Sequence, residues 1–305
     1  MTTPYPTNIK IILAFAAIYI IWGSTFYGVH IALKSFPPFL LSALRFLIAG
    51  TVLLMYCIVT KEKLPAAADI RKNALCGLVL FIGGVVSVVW SQQYISSSLA
   101  SIIITTPFWF VVLDKKQWGY YFSNKWIIAG LITGLLGVIL LLGFKKGRAG
   151  SSDEYMQLLS IFCMIGGSFL WVSGSLFLKY NPSKTSPYVN TSIQLLSAGI
   201  FCLLISLFRN EPQQLVVSAI QTDAAISLLY LSLISTLVTF MAYIWLIKVR
   251  PPAIVSTYSY VNPLVAVLLG WGLGGETISA LQIIALVIIL CGVLFVNIPR
   301  YKASM

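Results

Sequence analysis

The sequence predicts an all-α membrane protein of ten transmembrane helices, arranged as two inverted five-helix repeats. Three observations predict it. Of 305 residues, 59% are apolar and only 9% charged, where a soluble domain carries about 25% charged. The apolar residues fall in continuous runs near the roughly 20 that a bilayer-crossing helix needs; the short alternating segments of a membrane barrel are missing. The second half of the chain also repeats the first in outline. A soluble globule is excluded because so few charges cannot coat its surface. Disorder is excluded because so much apolar surface cannot be left in water.

Ten runs justify the count, and each has its own punctuation. Run 11–33 follows a single cation, Lys10, with no small-residue cleavage site, so it reads as a retained span and not a leader. Run 38–59 starts after Pro37-Pro38 and holds Arg45, the one cation well inside a run. Run 73–92 contains Gly83-Gly84. Run 97–114 contains Pro107 and ends at Asp114. Run 125–144 opens on Lys125-Trp126. Run 156–179 contains Gly166-Gly167 and Trp171, and run 187–208 contains Gln194. Run 222–247 carries Thr236 and Tyr243. Run 251–273 starts at Pro251-Pro252 and contains Pro263, and run 278–297 completes the set. The polar stretches that remain, around 60–72, 145–155 and 209–221, are too short for a separate domain. Any function must lie within the helix bundle.

A net charge of +12 is explained by the positive-inside rule, with no need for a nucleic-acid partner. With the N-terminus in the cytoplasm, fourteen Lys and Arg fall inside and five outside, with Arg45 in a span. The expected location is a cell (inner or plasma) membrane, multi-pass, with both termini cytoplasmic. The KKGR run at 145–148 opposes this orientation. The five cysteines all fall in apolar runs without CxxC spacing, so neither a disulfide framework nor a metal site is expected.

The internal repeat is the most informative feature. SALRFLIAG at 42–50 lies over TSIQLLSAG at 191–199, an offset of 149 that also carries Trp22 onto Trp171 and Ser24 onto Ser173. Further on, Pro107 matches Pro263, and Gly130 and Gly137 match Ala285 and Gly292. The division falls at 1–150 and 151–305. A repeat of five spans is odd, so the second copy enters the membrane from the opposite side. Inverted repeats of this kind are characteristic of secondary transporters, because two oppositely inserted halves can exchange roles between inward-open and outward-open forms.

These same residues carry a resemblance. WGSTF at 22–26, RFLIAG at 45–50, Trp171, and YSYVNPLVAVLLGWGLGGETISALQIIALVIILCGVLFV at 258–296 make the chain resemble the drug/metabolite transporter superfamily, in its ten-helix EamA-type branch. The resemblance implies export of small metabolites, often amino acids or their analogues. In one place the chain departs from the pattern. Where the first repeat should carry its own Gly-Glu, residues 113–125 read LDKKQWGYYFSNK, with Asp114 and Lys115-Lys116 instead.

Candidate substrate-contacting residues follow from depth and helical spacing. Trp22 and Trp171 sit mid-span as repeat mates and are expected to wall a central cavity. Trp118, Trp126, Trp245 and Trp271 lie near span ends and read as interface anchors. Stripes at i, i+3, i+4 and i+7 mix rings with hydroxyls or amides: Trp22, Phe26 and His30; Ser87, Trp90 and Tyr94; Thr105, Thr106 and Trp109; Ser168, Trp171 and Ser175; Asn190, Gln194 and Ser197; Thr236, Thr239 or Phe240, and Tyr243; Ser256 or Thr257, and Tyr260. The chosen cavity residues are Trp22, Phe26, Trp90, Trp109, Trp171, Tyr243 and Tyr260, with Gln194 as a polar contact. Pro107 and Pro263 are the chosen gating bends. For Arg45, bracing or snorkelling is favoured over holding a substrate carboxylate.

No Asp or Glu falls mid-span, which removes the usual proton-exchange group of a cation exporter. Uniport-like export is the first reading, and a proton-coupled mode through His30 the second. A membrane enzyme is disfavoured by a single histidine and the lack of HExxH or GxSxG. The committed reading is an exporter of small metabolites, aromatic or apolar amino acids first. A cationic or nucleotide-sugar-like cargo and a non-transporting sensor or channel are the alternatives. No catalytic residue, metal or cofactor is called for. The expected partners are a small-molecule substrate and the lipid bilayer, and a monomer suffices.

Overall fold

The computed structural model describes residues 8–63, 65–104, 106–143, 154–183, 185–273 and 280–303. Thr105, the basic run at 145–148 and Glu276 lie outside the described residues. Every regular element among those described is helical, as hydrocarbon requires of a chain that must satisfy its own backbone. Apart from the short pieces Lys115–Gln117, Glu211–Gln214 and Val217–Ala219, they are in order α1 (Ile9–Ala32), α2 (Pro38–Val59), α3 (Ala67–Ser91), α4 (Ser97–Ile103), α5 (Thr106–Leu113), α6 (Trp118–Ser123), α7 (Lys125–Gly143), α8 (Glu154–Tyr180), α9 (Pro187–Phe208), α10 (Thr222–Val249), α11 (Pro252–Gly272) and α12 (Ala280–Ala303).

Seven of these, α1, α2, α3, α8, α9, α10 and α11, are long and apolar enough to cross a membrane. Helices α7 and α12 carry shorter apolar stretches, Lys125–Gly137 and Ile283–Val296. The expected fourth span, 97–114, differs from the sequence reading: it is two short helices, α4 and α5. Pro107 is the second residue of α5, whereas Pro263 lies inside a continuous helix. The two prolines that align in sequence therefore occupy different positions in their helices.

Other prolines and the glycine pair of the third run have different roles. Pro38, Pro187 and Pro252 are each the first residue of a helix or helical segment, where a missing N–H costs nothing. The start of α2 is capped from a distance. Glu211, only 3% exposed, accepts the Leu40 N–H at 2.7 Å and the Phe39 N–H at 3.4 Å, placing a carboxylate on the positive end of the helix. The pair Gly83-Gly84 lies within unbroken α3, where the lack of side chains admits Leu170 and Trp171. Three helices widen into π turns, at Ala17–Ile21, Leu78–Val86 and Tyr230–Val238.

The bundle is held by pairings between the first half of the chain and the second. Helix α2 packs along α9, α7 along α12, α3 against α8 and α9, and α1 against α10 and α11. Small residues set these approaches. A Cβ on Gly50 would lie 2.9 Å from Leu196 Cγ, and one on Gly199 would lie 2.9 Å from Leu47 Cγ. Along α7, a Cβ on Gly130 would meet Val296 and one on Gly137 would meet Ile289. All five cysteines are free thiols.

Two outcomes follow for stability. Gly199→Leu should cost about 1–3 kcal/mol or more by overpacking the α2–α9 seam, seen as a lower melting temperature in detergent. Glu211→Ala should cost about 0.5–2 kcal/mol through the lost cap, with Glu211→Gln falling between Ala and wild type.

Candidate functional site

A cavity of about 100 Å³ lies between the two halves, enough for several waters. Its wall takes Trp22, Thr25 and Phe26 from α1, Arg45 and Phe46 from α2, Phe81 and Gly84 from α3, Ser168 and Trp171 from α8, Ser235, Thr236 and Phe240 from α10, and Tyr258 and Asn262 from α11. Two of the three π turns contribute to this wall, and Trp22 directly follows the third. A π turn shifts carbonyls out of the i−4 ladder and widens the helix. Ser235 shows the consequence: its carbonyl, inside the π turn of α10, accepts the Trp22 indole N–H at 3.1 Å.

The indoles meet edge to face. Trp22 and Trp171 have ring centroids 5.7 Å apart at 79°, and Trp22 also lies 4.8 Å from Tyr258 and 5.1 Å from Tyr243. Tyr243 in turn is 5.4 Å from Trp171, and its hydroxyl donates to Ser175 Oγ at 2.8 Å. Such ring pairs add about 0.5–1.5 kcal/mol each beyond burial and fix the rings in place. Trp22, Phe26 and Trp171 thus line the cavity, while Tyr243 backs the two indoles.

The remaining sequence candidates lie elsewhere. Trp90 stacks on Tyr94 at 5.3 Å. Trp109 packs edge-on to Phe169 at 5.5 Å. Tyr260 fills the gap over Gly134 and donates its hydroxyl to the Leu131 carbonyl at 3.2 Å, joining α11 to α7. The Gln194 amide donates to Asn73 Oδ1 at 3.0 Å and borders a separate polar pocket with Lys72, Asn73 and Asn190. Pro263 is buried beside Asn262. The side chain of Pro107 is outside the described set. His30 lies exposed in the last turn of α1.

Snorkelling is one of the two structural expectations for Arg45, and the structure overturns it. Arg45 is 4% exposed. Its Nε donates to Thr236 Oγ1 at 2.6 Å and its Nη2 to Ser235 Oγ at 3.1 Å. Ser235 Oγ is 2.7 Å from Thr25 Oγ1, which donates to the Ile21 carbonyl at 3.0 Å. With both Arg45 nitrogens as obligate donors, the protons run in one direction, from Arg45 through Ser235 and Thr25 to the backbone of α1.

A second polar cluster lies toward the end of the bundle opposite Val29 and Val89. Asp114, 1% exposed, accepts the Tyr180 hydroxyl at 2.5 Å and the Tyr121 hydroxyl at 3.0 Å. Tyr121 also accepts the Ala253 N–H at 3.4 Å. One carboxylate therefore ties the chain after α5 to α6, α8 and the start of α11. Sequence reasoning recorded Asp114 only as a departure from a Gly-Glu pattern. It did not select Asp114, Tyr121, Tyr258 or Asn262 for a site; the isolated acid at a span end was the available signal.

Burial, and then the Asp114 charge, hold the Tyr121 phenol well above the usual tyrosine range. The unfolded chain therefore releases this proton first, so its stabilisation is complete below about pH 10 and is lost as pH rises beyond. Melting temperature should fall steeply above about pH 10 in the wild type and less steeply in Tyr121→Phe.

Comparison with known proteins agrees with this architecture. The model of the EamA-like transporter family matches the chain twice, over residues 9–143 and 158–298. The uncharacterized inner membrane transporter YedA of Escherichia coli is 32% identical over 94% of this chain and 90% of its own length. The uncharacterized transporter YoaV of Bacillus subtilis is 25% identical over 95% of this chain and 97% of its own. A solved crystal structure shares the fold with a TM-score of 0.74 at 16% identity, covering 98% of this chain and all of that one. The family match over both halves, together with a cavity framed by long apolar helices, identifies this chain as a member of the EamA-like transporter family and a multi-pass membrane transporter.

Proposed function

We propose that the chain exports small metabolites, with aromatic or apolar amino acids as the leading cargo, by alternating access at the cavity between its two halves. The observation that carries this reading is the composition of the wall. An indole from each half faces the same space, hydroxyls edge it, and no carboxylate is among its described lining residues. Flat rings with hydrogen-bonding edges suit a cargo with an aromatic or apolar body. The absence of acid from the wall disfavours a cationic cargo.

Alternating access in this reading exchanges two inverted five-helix repeats, 1–150 and 151–305, in a ten-span bundle with both termini in the cytoplasm. The contacts at Gly50 and Gly199 support it. Leu47 and Leu196 are 149 residues apart, as are the two glycines, and each leucine fills the notch of the other half. Helix pairing supports it too, because α3 on α8 has its exchanged counterpart in α10 on α1. In this orientation the Asp114 cluster and the Tyr243–Tyr258 layer close the cytoplasmic side. The cavity walls extend outward from there, along α1 from Trp22 to Val29 and along α3 from Phe81 to Val89.

A counterflow panel in proteoliposomes, covering amino acids and organic cations at several pH values, tests the cargo. Saturable flux of phenylalanine and tryptophan, little changed by pH, is expected. If neither moves nor competes, the aromatic cargo is wrong. Pro263→Ala restores the α11 hydrogen bond that proline removes, and it should slow export more than it lowers folded yield. Equal losses would show a static kink.

A further inference from the structure

The geometry points to Arg45 and Asn262 as the two poles of a site for an α-amino carboxylate, with the Arg45 guanidinium taking the carboxylate and Asn262 Oδ1 taking the ammonium. This deepens the cargo reading above and rests on it for the choice of aromatic probes.

The first observation is an unspent charge. Arg45 offers five N–H donors. Its Nε and Nη2 are engaged by Thr236 and Ser235, both neutral hydroxyls. Its Nη1 is buried and has no hydrogen-bond partner. None of the described carboxylates neutralises it: Asp114 is held by two tyrosines and Glu211 by the N-terminus of α2. A buried cation without an anion is costly in a protein interior and more so at membrane depth. A guanidinium already held on one edge by two hydroxyls, with its other terminal nitrogen buried and unpaired beside the cavity the residue lines, gains its missing bond from an oxyanion once the cavity widens to reach it.

The second observation lies on α11. Asn262 is 4% exposed and lines the same cavity, and its Oδ1 is likewise buried without a partner. A carbonyl oxygen accepts only. The cavity wall thus holds one unspent cationic donor from the first half, on Arg45, and one unspent neutral acceptor from the second, on Asn262, beside the unpaired indole N–H of Trp171, with the rings of Trp22, Phe26 and Trp171 as the apolar wall. A carboxylate, an ammonium and an apolar side chain on one carbon match these three features. A phosphate ester would bring more charge than a single guanidinium offsets, and an organic cation would find an arginine.

Binding is read by quenching of intrinsic tryptophan fluorescence, and transport by counterflow. The probes are phenylalanine, 3-phenylpropionate, phenethylamine and phenylalaninamide, applied to the full-length protein in proteoliposomes. In wild type, phenylalanine should bind tightest, and phenylalaninamide should be weaker by about tenfold or more, because its charge-assisted bond to Arg45 is gone. Arg45→Gln should weaken phenylalanine and 3-phenylpropionate by a similar factor and should not weaken phenethylamine. Asn262→Leu should weaken phenylalanine and phenethylamine and spare 3-phenylpropionate. Equal affinity of wild type for phenylalanine and its amide overturns the assignment, and this result needs no variant to fold. Retained carboxylate preference in folded Arg45→Gln overturns it as well. If wild type moves no phenylalanine yet binds 3-phenylpropionate only when Arg45 is present, the cargo reading fails and the anion pole stands. If no carboxylate probe binds wild type, the anion pole fails.

Discussion

Hydrocarbon offers no hydrogen bonds, so each polar group carried into the bilayer must find its partner within the protein. That constraint organises this molecule. Its buried polar side chains gather where the two halves face each other, and the lipid-facing positions of α1, α2 and α9, such as Ile12, Val59 and Phe208, are apolar and exposed. Arg45, Ser235 and Thr25 form one chain of donors across α2, α10 and α1. Asp114, Tyr121 and Tyr180 form another across α6 and α8. Between them lies the layer of indoles and phenols. The cavity lies at that interface, and among its lining residues Arg45, Trp171 and Asn262 each keep a buried polar atom without a partner.

Close approach makes the polar gathering possible. Without a hydrophobic drive between helices in lipid, packing and hydrogen bonds must hold the bundle. The notches at Gly50 and Gly199, and the glycine face of α7 against α12, bring backbones together so that short side chains can reach across. Three π turns add to this by widening helices at the level of the cavity, where a regular ladder would point its carbonyls along the axis. Rigid seams at the flanks and widened helices at the centre suit a carrier in which two packed bodies move about a fixed site.

Much of the fold was legible because its signals are local. Long apolar runs, the Pro38, Pro187 and Pro252 helix starts, and the 149-residue offset can all be read without knowing any contact. The site was legible in part. Trp22 and Trp171 stood out by depth and by repeat position, and they meet. Trp90, Trp109, Tyr260 and Gln194 had the same residue chemistry and similar spacing, yet they are not among the described residues that line this cavity. Spacing identifies a shared face but not what that face meets. The bend residues show the same limit: Pro107 and Pro263 align in sequence, but one opens a short helix and the other interrupts a continuous one.

The sequence by itself determined that this chain lives in a membrane, that it is helical, that it is internally repeated and that its centre carries indoles without acids. Those properties follow from composition and period, which act along the chain. Tertiary structure alone decided that Arg45 is braced by hydroxyls with one nitrogen open, that Glu211 caps a helix some 170 residues away, and that Asp114 ties four segments together. Each of these is a pairing of groups far apart in sequence, and hydrogen bonding acts over about 3 Å in space, a distance that no pattern along one chain records.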